Sequence, residues 1–116
     1  MPHIVFDKKI DLFALTKNFH EIFQKTPVLI KIHSVFVEHN GLTALFSVVV
    51  IDNMHQDFLI EISTTKSKTT IRLYPQTDPV KTDGVKLSIV LLSKYVLDIF
   101  PDLKVTKTNL TEYLTA

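Results

Sequence analysis

The chain has 116 residues, of which 46% are hydrophobic and 22% charged, and its formal net charge at pH 7 is +1. That is one domain's worth of chain with an ample core. The near balance of 13 basic and 12 acidic groups, with Arg72 the single arginine, argues against a nucleic-acid partner or an acidic lipid surface.

Cysteine is absent, which excludes disulfides, thiolate catalysis and zinc–sulfur sites and fits a cytoplasmic protein. The opening MPHIVFDKKI lacks the pattern of a signal peptide, and the apolar runs are too short to cross a bilayer.

In chain order, His3-Ile4-Val5-Phe6 reads as a short interior strand bounded by Asp7-Lys8-Lys9. Asp11 can cap a helix in which Leu12, Phe13, Leu15, Phe19, Ile22 and Phe23 form one stripe, ended by Thr26-Pro27. Residues 29–39 read as a strand, with Ile30, Ile32 and Phe36 on one face and Lys31, His33, Val35 and Val37 on the other. Asn40-Gly41 is a hairpin signal, and residues 42–51 form the return strand. A two-residue turn would set His39 opposite Leu42, Val35 opposite Phe46 and His33 opposite Val48. Both faces of this hairpin carry large apolar groups. One should meet helices, and subunit packing would account for the other.

Asp52-Asn53-Met54-His55 is a turn, after which Phe58, Ile60 and Ile62 alternate with Asp57, Leu59 and Glu61 in a further strand. Residues 64–68 form a polar loop, and residues 69–74 admit one more strand around Arg72. Asp78 or Thr82 caps a second helix whose face is Val85, Ile89, Leu92, Val96, Ile99 and Phe100, widened by Leu87, Leu91 and Tyr95. Gly84 weakens its first turn and Pro101 stops it. A last strand is expected around residues 102–108, and residues 111–116 either fray or meet another subunit. The pattern predicts a single α+β domain over residues 1–116. Its sheet has helices on one face, extra hairpin strands and a β-α-β unit at each end.

Among groups able to do chemistry, Pro2 comes first. Loss of Met1 would expose a secondary amine able to act as a base near neutral pH, whereas retention of Met1 leaves Pro2 an amide. Lys31 and His33 share a strand face and could hold an anionic substrate. Arg72, between Ile71 and Leu73, points away from both toward solvent, a pocket or a partner. His33 and His39 stand roughly 20 Å apart by strand rise and cannot share a metal. His39 could meet His55 only if the sheet joins their turns. No metal site or cofactor is expected, and glycine-rich phosphate loops and GxSxG elbows are missing.

The start Met1-Pro2-His3-Ile4-Val5 resembles that of the 5-carboxymethyl-2-hydroxymuconate isomerases, within the tautomerase superfamily. The stretch from His55 through Ile62 resembles that family's central strand, and Leu29-Ile30-Lys31-Ile32-His33 sits where its second strand begins. The resemblance implies a β-α-β-β-α-β subunit, assembly as a homotrimer, and cofactor-independent proton transfer on a small 2-oxo or enol acid. Pro2 would be the catalytic acid–base group, with Lys31, His33 and Arg72 as substrate-binding cations. The family's arginines fall here near Lys31 or His33 and near Lys66 or Lys68, and lysine does not reproduce a bidentate fork. Two further readings stand beside it: a non-catalytic oligomeric or protein-binding module that keeps the fold, and an enzyme built on a histidine pocket.

Overall fold

The computed structural model describes residues 2–114. Its strands are β1 (His3–Phe6), β2 (Ile22–Gln24), β3 (Leu29–Val37), β4 (Thr43–Ile51), β5 (His55–Thr64), β6 (Thr69–Leu73) and β7 (Val105–Thr108). Its helices are α1 (Leu12–Lys17), α2 (Asp83–Ile99) and α3 (Thr111–Leu114). The strands form one sheet in the order β2-β3-β4-β5-β6-β1-β7, and every neighbouring pair is antiparallel. The α+β class and the hairpin strands are therefore as expected.

The connectivity is not the expected pair of β-α-β units. β6 and β7 are both antiparallel to β1, so they run parallel with β1 between them, and α2 joins them as a split β-α-β unit. At the other end, α1 leads to β2 on the opposite edge of the sheet, five positions from β1.

The core lies on one face of the sheet, where Ile4, Phe6, Ile30, Ile32, Phe46, Ile60, Ile62 and Ile71 are fully buried. α2 covers it with Val85, Ile89, Leu92 and Val96, the stripe read from the sequence, while Ile99 at its end stays exposed. Thr82 is the N-cap, its hydroxyl accepting from the Val85 amide. Tyr95 Oη donates to the Leu15 carbonyl at 2.9 Å and ties α2 to α1. Phe19 stands edge-on to both Phe46 and Tyr95. Buried polar groups are satisfied locally: Ser88 and Ser93 donate back into the helix, and Thr64 and Thr69 bond each other across β5 and β6.

Three departures from the sequence reading have physical causes. The first helix is only six residues long, capped by Asp11 and ended at Asn18. Ile22 and Phe23 belong instead to β2, whose backbone groups pair with β3. A short apolar stretch fits either period, and the open edge of β3 decides it. Second, β3 bulges between Ile32 and Ser34, so that Ile32 faces Val48 but Ser34 faces Ser47. His33 is the extra residue, and it does not face Val48. The bulge reverses the alternation: Val35 and Val37 join Ile30 and Ile32 against the core, while Phe36 turns to the other face, 63% exposed. Val35 still faces Phe46 as expected. Third, the hairpin turn is longer than two residues. The Gly41 amide donates to the Glu38 carbonyl, the Glu38 amide to Thr43, and only Gly41 has positive φ, at +73°. Beyond β7, residues 111–114 form a helical turn whose Tyr113 and Leu114 pack on the core, rather than a frayed tail. Residues 115–116 lie outside the described residues.

Gly84 is more than a weak point in the helix. A Cβ there would lie 2.7 Å from both Asp52 Oδ2 and Val50 Cγ1, and 2.9 Å from Val28 Cγ1. Asp52 joins this contact: its carboxyl is held below the usual range chiefly by the Thr82 hydroxyl, with the Met54, Asn53 and Gly84 amides adding to the effect against partial desolvation. Gly84→Ala gains about 1 kcal/mol of helix propensity, but overpacking of this kind costs about 1–3 kcal/mol. The expected outcome is net destabilisation, read as a lower midpoint in urea unfolding at unchanged slope.

Candidate functional site

The alternation of β1 places Pro2 on the same side as Ile4 and Phe6, the helix side, and Pro2 is buried. Its position is fixed by the strand behind it: the His3 amide donates to Asn109 Oδ1 at 3.0 Å, and Thr108 Oγ1 donates to the His3 carbonyl at 2.7 Å. Pro2 lines a cavity of about 230 Å³ with Lys81, Lys86, Asn109 and Leu110. Lys81 Nζ is paired with Asp78 at 2.9 Å. Lys86 Nζ lies 5.9 Å from the centre of the Tyr113 ring. The Tyr113 hydroxyl donates to Asp83 Oδ1 at 2.7 Å, and that bond, more than desolvation or the neighbouring carboxylate charges, pushes its pKa up to about 12. The fate of Met1 falls outside the described residues.

The cations expected beside Pro2 are elsewhere. Lys31, His33 and Arg72 all belong to the opposite, helix-free face of the sheet, and they do not converge there either. Lys31 pairs loosely with Glu21 at 3.8 Å. His33 sits in the β3 bulge, its Nδ1 3.1 Å from Ser34 Oγ, beside a depression of about 380 Å³ shared with Ser47, Asp57, Leu59 and Thr77. Arg72 is on β6, three strands from β3, which is about 14 Å across the sheet. Its Nε donates to Glu61 Oε1 at 2.8 Å, and its side chain, 42% exposed, lines a surface depression on the face away from Pro2. The single anion-binding cluster expected beside Pro2 is therefore divided on the far face, with Lys31 and His33 two residues apart on β3 and Arg72 away on β6. His39 and His55 lie at opposite ends of β4, roughly 30 Å apart by strand rise. Among the described residues no three His, Asp or Glu side chains gather as metal ligands.

The helix-free face divides in two. Over β2 to β5 it is mainly apolar: one cross-strand row runs Phe23–Lys31–Val49–Asp57, the next Leu29–Ile51–His55, and Leu45 and Leu59 follow toward the middle of the sheet. Over β5, β6, β1 and β7 it is polar and basic. There a shallow depression of about 600 Å³ takes in His3, Ser63, Lys68, Thr70, Arg72 and Lys107. Glu61, only 9% exposed, sits at the boundary between the two halves.

Reading the sequence alone missed Lys81, Lys86 and Asn109 around Pro2, and Lys107 near Arg72. No local signal marks them, because they become neighbours only through the register of β1 with β7 and the return of α2 over the sheet. The turn lysines, Lys66 and Lys68, were visible as a basic pair, and Lys68 is the one that lines the depression.

No family model, no curated protein and no solved structure matches this chain. Among the described residues no helix is long and apolar enough to cross a membrane.

The Tyr113–Asp83 contact yields a spectroscopic test. The neutral phenol is the form favoured by the fold, so its stabilisation is complete below the ordinary tyrosine pKa of 10.0 and is lost as pH rises through about 12. Phenolate absorbance should therefore show one tyrosine titrating near 12. Tyr113→Phe should delete that step, and Asp83→Ala should move it back toward 10.

Proposed function

We propose that this domain is a non-catalytic assembly module, and that a second copy of the chain covers the apolar half of the helix-free face. One observation carries the reading: Lys31 and Asp57 stand on either side of Val49 in a single cross-strand row. A twofold axis at Val49 would bring Lys31 of each copy against Asp57 of the other. Such a contact is self-complementary, with Val49 on the axis, opposite charges one strand to either side, and apolar groups beyond them.

Size is in keeping with a reversible contact. β3, β4 and β5, nine or ten residues long, project about 430 Å², with the three-residue β2 beside them, the low end of interface sizes. Phe23 and Phe36, 54% and 63% exposed, would lose contact with water. A twofold pair is favoured here over the homotrimer that the tautomerase resemblance implies. A cytoplasmic setting fits a chain without cysteine.

Sedimentation velocity tests this. The wild type should form a reversible dimer at micromolar concentration. Lys31→Asp should weaken it roughly tenfold or more, because it sets like charges together. Combining Lys31→Asp with Asp57→Lys should restore it. A wild type that stays monomeric, a trimer, or a double variant no better than the single one would overturn the reading.

A second reading rests on the cavity at Pro2. With Met1 removed, the Pro2 amine would face Lys81 and Lys86, which could hold the carboxylate of a 2-oxo acid while the amine takes a proton from the carbon next to the ketone and delivers it to the resulting enolate oxygen, giving the enol. Of the tautomerase-like arrangement, this reading draws on the interior position of β1 and the split unit around it alone. Intact mass lacking one methionine and an enol–keto assay lost in Pro2→Ala are its expected results. Retention of Met1, or equal rates in the variant, would sink it.

A further inference from the structure

The basic depression over β5, β6, β1 and β7 is a different place from both the dimer face and the Pro2 cavity, and it has the chemistry of an anion site. It begins with Arg72. Register places Arg72 between Glu61 on β5 and His3 on β1. Glu61 is nearly buried and takes Nε alone, at 2.8 Å. Among the described residues, the two terminal amino groups of the guanidinium make no hydrogen bond. A buried carboxylate thus holds the planar fork by its inner nitrogen and leaves its outer edge for an acceptor outside the chain.

One row along the sheet, Ser63 and Thr70 are cross-strand partners, and both line the same depression as Arg72. Neither hydroxyl is hydrogen-bonded among the described residues. The Thr65 and Thr106 hydroxyls nearby are committed, donating to the Lys68 and Val5 carbonyls. Lys68 from the β5–β6 turn and Lys107 from β7 also line the depression, and neither is in an ion pair among the described residues. Arg72, Lys68 and Lys107 against the one carboxylate of Glu61 leave the site with two uncompensated positive charges among the described residues. The acceptor that matches is a dianion with several oxygens around one centre, able to take the fork, two hydroxyls and flanking ammonium groups together.

We propose that this surface binds the phosphate group of a small phosphate monoester, with Arg72 as the anchor, Ser63 and Thr70 as hydroxyl donors, and Lys68 and Lys107 supplying charge. The volume of about 600 Å³ exceeds what inorganic phosphate fills and leaves room for the esterified group.

The test is a titration of the full chain with inorganic phosphate and with adenosine 5′-monophosphate, followed by amide NMR shifts, with sodium chloride at matched ionic strength and adenosine as controls. Both phosphates should saturate, with shifts centred on residues 63, 70 and 72, and the monoester should bind more tightly than phosphate. Arg72→Ala leaves Glu61 buried without a partner and can unfold the domain, so Arg72→Lys is the informative variant. It keeps the charge, loses the fork, and should weaken phosphate at least tenfold. The Lys68→Ala/Lys107→Ala pair should do the same, and Ser63→Ala/Thr70→Ala should weaken it severalfold. Lys31→Asp and Pro2→Ala should leave it unchanged, which separates this site from the other two. Unsaturated shifts that chloride reproduces, wild-type affinity in Arg72→Lys, or a monoester that binds more weakly than phosphate would each overturn the proposal.

Discussion

A seven-stranded sheet has two faces, and among the described residues helices cover only one. α2, about 25 Å long at 17 residues, nearly matches the roughly 29 Å width of the sheet, so one long helix with two short companions suffices to seal the core. Everything else follows from the face left over. The chain has had to make that surface compatible with water or with a partner, and it does so differently on its two halves: apolar side chains with opposite charges among them over β2 to β5, lysines and hydroxyls over β5 to β7. The Glu61–Arg72 contact lies on the line between them.

The single extra residue in β3 determines how that division falls. Without the bulge at His33, a strict period of two would put either Ile30 and Ile32 or Val35 and Val37 in water. With it, all four reach the helix side, and Phe36 becomes the exposed one. The cost is an unpaired residue, and the chain places a histidine there, beside Ser34, where polar groups tolerate exposure.

How much of this was legible depended on the distance over which each feature is decided. The face of α2 was readable because Val85, Ile89, Leu92 and Val96 keep one period over three turns. The pairing of Val35 with Phe46 was readable because a turn fixes register locally. The bulge was not, since an inserted residue leaves no mark in composition. Ile22 and Phe23 fitted a helix stripe as well as a strand, and only the free edge of β3 settles the matter. For the candidate sites the limit was sharper. Pro2, Arg72, Lys31 and His33 were each visible as unusual residues, but which of them meet depends on strand order, and β1 does not pair with β2 or β3. The cations that do approach Pro2 come from the start of α2, more than 70 residues away in sequence.

The place of β1 has one more consequence, for how the sheet is assembled. β2 through β6 form a continuous meander in which each strand pairs with the next, contacts that short loops can close quickly. β1 belongs to none of these hairpins. It must fit between β6 and β7, and its contact with Thr108 spans 105 residues of sequence. The strand that precedes all the others in this sequence thus has no partner until β6 is formed, β7 has none until β1 is in place, and until β1 docks the edge of β6 remains unpaired. A partly folded chain in that condition could equally accept β1 from a neighbour, remaking the same strand pairing between copies with the segment after Phe6 as the hinge.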